Sequence, residues 1–137
     1  MLPKALLHPV IVEKALVSFT RGEYDTAVFQ AFKQVEIAVR EAGGYSDKDF
    51  GMPLARKAFD PKKGPLSDMD IPEGEREGLQ SLVAGALGSY KNPHSHRSVT
   101  IEDPTDAVEM IMLASHILRI VDSRLSKDVG TSPASTI

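Results

Sequence analysis

The chain contains no cysteine. That absence removes a disulfide framework, thiolate metal ligands and cysteine nucleophiles together, and makes a reducing compartment, the cytoplasm, the expected setting. No apolar run approaches the roughly 20 residues a membrane helix needs, and the Pro-broken opening from Met1 to Pro9 is too short for a signal peptide. Neither membrane insertion nor targeting is expected. Alternating β-branched runs are nearly absent too, Val10 to Val12 being too short and too close to a Pro to make a strand. Nor is there an excess of positive charge: a net charge of -3 gives no general pull toward nucleic acid, so any such binding has to come from a local basic cluster.

What is present is a helical chain of ordinary domain size. A length of 137 residues that are 42% hydrophobic can bury one core. The pattern predicts an all-α bundle of about five helices over residues 1–125, with a flexible tail over 126–137. The first helix is expected from Pro9 to Thr20 with Val12, Leu16 and Phe19 inward, ended by Gly22. The second runs from Tyr24 to Ala42 on a stripe of Val28, Phe32, Val35 and Val39, closed by Gly43-Gly44.

A loop-rich stretch follows, with a short helix at Leu54 to Phe59 and a surface excursion through Asp60-Pro61-Lys62-Lys63-Gly64-Pro65. A helix from Glu73 to Tyr90 should bury Leu79, Leu82, Val83, Ala86 and Tyr90, with Gly78, Ser81, Gly85 and Gly88 on a second, small-residue face. The last helix starts at Asp103-Pro104 and ends near Leu125. It carries two apolar rows: Ala107, Ile111, Ala114, Leu118, Val121 and Leu125, and Met110, Leu113, Ile117 and Ile120. Two rows on one helix require a central position or a subunit interface, and a homodimer is expected.

The densest chemistry lies in Tyr90-Lys91-Asn92-Pro93-His94-Ser95-His96-Arg97. Four basic side chains sit directly after a long helix, at a Pro that disfavours helical geometry for Asn92 and so predicts a kink. Histidine is the side chain best suited to exchange protons near neutral pH, and fixed cations suit phosphodiester chemistry. On the second helix Lys33, Glu36 and Arg40 share one polar stripe. Its plain reading is a solvated surface, its sharper one a set of substrate contacts.

The segment Lys91-Asn92-Pro93-His94-Ser95-His96 resembles the signature of HEPN ribonucleases: an Arg, then a polar residue such as Asn, and a His a few positions on. The chain is similar to the Ymh-like bacterial branch of that superfamily through His8-Pro9, Tyr24 to Arg40, Gly51 to Phe59 and Gly85-Ala86. The resemblance implies a dimeric helical bundle with both motifs facing one cleft. It also implies metal-independent cleavage of single-stranded RNA or tRNA loops, with no cofactor, in toxin or antiviral defence systems. On it, His96 moves protons, Lys91 stands where the family has Arg, and Asn92 orients the phosphate or the His. His94, Arg97, Lys33, Glu36 and Arg40 are further substrate-contact candidates, and a regulatory or assembly partner protein is a further expectation. The departure is Lys91, because lysine lacks the planar fork that Arg offers a phosphate.

Other readings of the same residues are weaker. His94-x-His96 lacks the partner residues of a metal site. His116 sits on a polar side with Glu109, Arg119 and Ser123, and His8 reads as a helix-start residue. Arg21 to Ala27 resembles part of a tetratricopeptide pair, but no second copy follows. The second hypothesis is a non-catalytic domain binding RNA, a nucleotide or a protein, and the third a dimerisation module.

Overall fold

The computed structural model describes residues 2–93 and 97–130, with side chains described through Leu125. Among the described residues, five α-helices follow a short 3-10 turn at Lys4–Leu6: α1 Pro9–Thr20, α2 Tyr24–Gly43, α3 Gly51–Ala58, α4 Glu73–Ala86 and α5 Pro104–Gly130. No strand occurs among the described residues. No described helix is long and apolar enough to cross a membrane.

The helices begin and end where backbone chemistry directs them. Gly22 and Gly44 both adopt positive φ, and each closes its helix with a pair of reversed bonds: Glu23 N–H to Ser18 C=O and Gly22 N–H to Phe19 C=O, then Tyr45 N–H to Arg40 C=O and Gly44 N–H to Glu41 C=O. These satisfy carbonyls that the helix ends leave open. At the start of α5 the Asp103 carboxylate accepts from Thr105 N–H at 2.8 Å, as an N-cap should.

The central element is α2, which packs along α1 and α5 and also meets α3 and the turn after α4. Its expected stripe, Val28, Phe32, Val35 and Val39, is fully buried. In α1 the buried face is Ile11, Ala15 and Phe19, so Val12 and Leu16, expected inside, are only half-buried. Phe19, inside as expected, closes the α1–α2 corner against Tyr24, ring centroids 5.2 Å apart.

In α4 Val83, Ala84 and Ala86 are buried while Leu82, expected inside, is exposed. The small-residue face divides. A side chain at Gly78 or Gly85 would meet nothing within 4 Å, whereas at Gly88 it would collide with Met52. Gly88 therefore serves the packing of α3 rather than an open face. The loop after α3 carries exposed Lys62 and Lys63 but is more than a surface excursion, since Gly64 and Leu66 are buried and Leu66 N–H bonds Ala58 C=O at 2.9 Å.

Helix α5 continues to Gly130, past the expected end at Leu125, and Leu125 is exposed rather than a member of the buried row. Of its second row Ile117 is buried and Met110, Leu113 and Ile120 are half-buried, so much of the burial that this helix demands is met inside one chain.

Candidate functional site

Glu36 lies on α2 one turn after Phe32 and in line with it, which carries its carboxylate into the interior: the residue is 5% exposed. An ionised carboxylate in such a place needs partners, and three donors converge on it. Gly51 N–H donates to Oε2 at 2.9 Å, the Arg40 guanidinium donates to Oε1 at 3.2 Å, and the Lys91 ammonium lies 3.3 Å from Oε2. The Gly51 bond places the carboxylate at the N-terminus of α3, where unpaired N–H groups and the helix dipole favour negative charge. Two cations around one carboxylate leave one positive charge in excess.

Lys91 reaches this position through a distortion of the backbone. After Ala86 the α4 helix widens into a π turn, Leu87–Lys91, in which Asn92 N–H bonds Leu87 C=O, five residues back. Such widened turns occur frequently at functional sites. The sequence reading expected Pro93 to force Asn92 out of helical geometry. Asn92 instead keeps right-handed helical angles, φ -62 and ψ -40. A prolyl ring clashes with the carbonyl four residues back in a regular α-helix, and the wider turn just before Pro93 takes up the distortion.

The π turn is gripped from two sides. Tyr90 packs on Phe32 of α2 at 5.2 Å between ring centroids, and Met52 of α3 fills the space left by Gly88. Gly51 has φ +64, where L side chains are strained. A side-chain carbon there would come within 3.5 Å of the Asn92 amide. Asn92 thus stands beside the Glu36 cluster, yet its side-chain amide makes no hydrogen bond to a described residue.

The loop between α2 and α3 is braced by the same residues. Arg40 Nε donates to the Asp49 carbonyl at 3.0 Å, and the Lys57 ammonium donates to the Asp49 carboxylate at 2.8 Å while lying 5.3 Å from the Tyr45 ring centroid. The hydrogen bond from Lys57 holds the Asp49 carboxyl below its ordinary range, and the same bond raises Lys57. Burial pushes the Tyr45 hydroxyl up, against the pull of Lys57.

Of the residues singled out from the sequence, the structure brings together Lys91, Asn92, Glu36 and Arg40. Glu36 and Arg40 are not the solvated stripe of the plain reading: their side chains are 6% and 17% exposed, and only Lys33 is solvent-facing. Neither Lys33 nor Arg97 joins the cluster among the described residues. Arg97 is exposed, its guanidinium bonding the Ser98 carbonyl at 3.4 Å. His94 and His96 lie outside the described residues; the backbones flanking them are bonded, Arg97 N–H to Pro93 C=O at 3.0 Å. Sequence reasoning missed Gly51 and the π turn. The signal for Glu36 was legible, since it falls directly in line with buried Phe32, whereas nothing in the sequence announces an amide donor at Gly51.

On another side of α2, His8 caps α1. Its Nδ1 accepts from Val10 N–H at 3.1 Å, its Nε2 lies 2.7 Å from Asp122, and its backbone N–H bonds Ser115 Oγ at 2.8 Å.

The chain belongs to the family described as Protein of unknown function (Hypoth_ymh), whose model matches residues 5–121. No curated protein and no solved structure matches it.

Proposed function

We propose that this chain is a metal-independent endoribonuclease of the HEPN type, acting on single-stranded RNA or tRNA loops. The observation that carries the reading is the convergence of Lys91, Arg40 and the Gly51 amide on one buried carboxylate at a π turn, with Asn92 beside it, immediately before the two histidines. The 2′-OH attacks the adjacent phosphorus and passes its proton to His96. The bond to the 5′-oxygen breaks, and that oxygen takes up a proton, leaving a 2′,3′-cyclic phosphate and a 5′-OH.

Charge grows on the non-bridging oxygens during this step, and a fixed cation near them lowers the barrier. Glu36 occupies one side of the Lys91 ammonium and so holds it in one orientation, which offsets part of what lysine lacks beside the arginine fork. Asn92, with its amide uncommitted to the described fold, orients the phosphate. Flexible single strands allow the in-line geometry that attack requires. A homodimer bringing two such motifs to one cleft, and a role in toxin or antiviral defence, complete the proposal.

A second reading, a domain that binds RNA, a nucleotide or a partner protein without turnover, is favoured by one observation: Lys91 is itself an ion-pair partner of a buried group, a role that needs no substrate. Incubation of the purified chain with total tRNA and an unstructured RNA in EDTA, beside its His96→Ala variant, separates the two. Cyclic-phosphate ends that disappear in the variant support the ribonuclease. Ligand-dependent thermal stabilisation without new ends supports the binder.

A further inference from the structure

We propose that Phe50 is a stacking platform for a nucleobase adjoining the phosphate held at Lys91 and Asn92; this deepens the RNA-cleaving reading and rests on it. Phe50 is 59% exposed. A lone exposed apolar side chain is ordinary in itself. Its place and rigidity distinguish it. Phe50 is the residue before α3, in extended geometry with φ -154 and ψ 167, and its own carbonyl accepts from Leu54 N–H at 3.3 Å.

Both its neighbours are tied to the Glu36 cluster. The Asp49 carbonyl is held by Arg40 and the Gly51 amide by Glu36. The backbone that presents the ring is therefore fixed by the residues that fix Lys91. Consecutive Cα atoms are about 3.8 Å apart, and a side chain at Gly51 would already stand 3.5 Å from the Asn92 amide, so the Phe50 Cα lies within about 9 Å of that amide. The acidic neighbour Asp49 does not repel a phosphate chain freely, because Lys57 neutralises it at 2.8 Å. An exposed aromatic on a fixed backbone beside a cationic site is an arrangement by which proteins bind single strands, the ring stacking on a base of any identity.

The chain has no tryptophan, so Phe50→Trp introduces a single indole at this position. The probes are a 2′-O-methyl oligouridine, which cannot be cleaved by 2′-OH attack, and an abasic oligomer with the same sugar–phosphate backbone. Indole fluorescence quenched by the oligouridine and not by the abasic strand is expected. Phe50→Ala should weaken oligouridine binding about 5–140-fold, the range of stacking on one base, with an unchanged thermal midpoint, while Phe50→Tyr retains it. Absence of quenching, equal quenching by the abasic strand, or equal affinity of Phe50→Ala overturns the assignment. Cleavage of ordinary RNA without quenching removes the platform and leaves the ribonuclease standing; quenching without cleavage does the reverse.

Discussion

Helix α2 separates two polar clusters, and they use their groups differently. On one side His8 lines a cavity of about 330 Å³ with Gln34, Glu41 and Asp122, and every polar atom of that histidine's ring is bound. Because Nδ1 accepts from Val10 N–H, the ring proton sits on Nε2 and is given to Asp122. On the other side Glu36 gathers Lys91, Arg40 and Gly51, a surplus of positive charge remains, and the neighbouring Asn92 amide is unclaimed by any described residue. A titratable group whose atoms are all committed to the fold stabilises it; one that collects more charge than it cancels is equipped to meet a ligand. On the proposed reading, the difference leaves His8 to architecture and gives the Glu36 cluster its function.

The largest effect expected from breaking this contrast is Glu36→Ala. It leaves two mostly buried cations and the first amide of α3 without their acceptor, and should cost about 3–5 kcal/mol, read as a lowered urea midpoint. Lys91→Met leaves Glu36 with Arg40 and Gly51, so its cost to folding should be smaller. Its cost to RNA cleavage should be about 10²–10³-fold, the effect of removing one charge-stabilising donor, measured in single turnover.

The contrast also explains what could be read without coordinates. Periodicity located all five helices, because α2 and α5 bury their stripes regardless of what surrounds them. It misplaced Leu82 and Leu16, since which neighbour covers a helix face depends on tertiary packing. Lys91 and Asn92 were legible as a basic motif after a helix. The π turn was not, because it arises where Pro93, Tyr90 on Phe32 and Gly88 under Met52 have to be satisfied together. Glu36 looked solvated because its charge pairs resemble any surface ladder, although it falls in line with Phe32; its partner amide at Gly51, fifteen residues away, is what no sequence pattern announces.

Gly51→Ala sharpens the comparison at intermediate cost. A side chain at φ +64 is worth about 1–2 kcal/mol of strain, while contact with Asn92 would be ordinary. A drop of that size in stability, with cleavage reduced as the strained backbone shifts the Gly51 amide beneath Glu36, is the expected result. His8→Ala should cost about 1 kcal/mol through the lost cap of α1 and leave cleavage unchanged, the counterpart of Lys91→Met. Unchanged stability would show that the cap contributes nothing.

The smallest effect is a pH dependence of the loop before α3. Asp49 has its carboxyl lowered chiefly by the Lys57 hydrogen bond. Its contribution is therefore present above the ordinary carboxylate range and lost as pH falls through the lowered value. Amide exchange of residues 45–50 should accelerate relative to that of α2 below about pH 4, and the Asp49→Asn variant should lack that dependence.

The most direct test of the account is Asn92→Ala, because the Asn92 amide supports no described contact of the fold and can be removed without unpairing Glu36. Single-turnover cleavage of an unstructured RNA in EDTA, with the thermal midpoint measured on the same samples, separates chemistry from folding. The account predicts a rate loss on the order of 10²–10³-fold at an unchanged midpoint. An unchanged rate, or no cleavage by the wild-type chain, would contradict it.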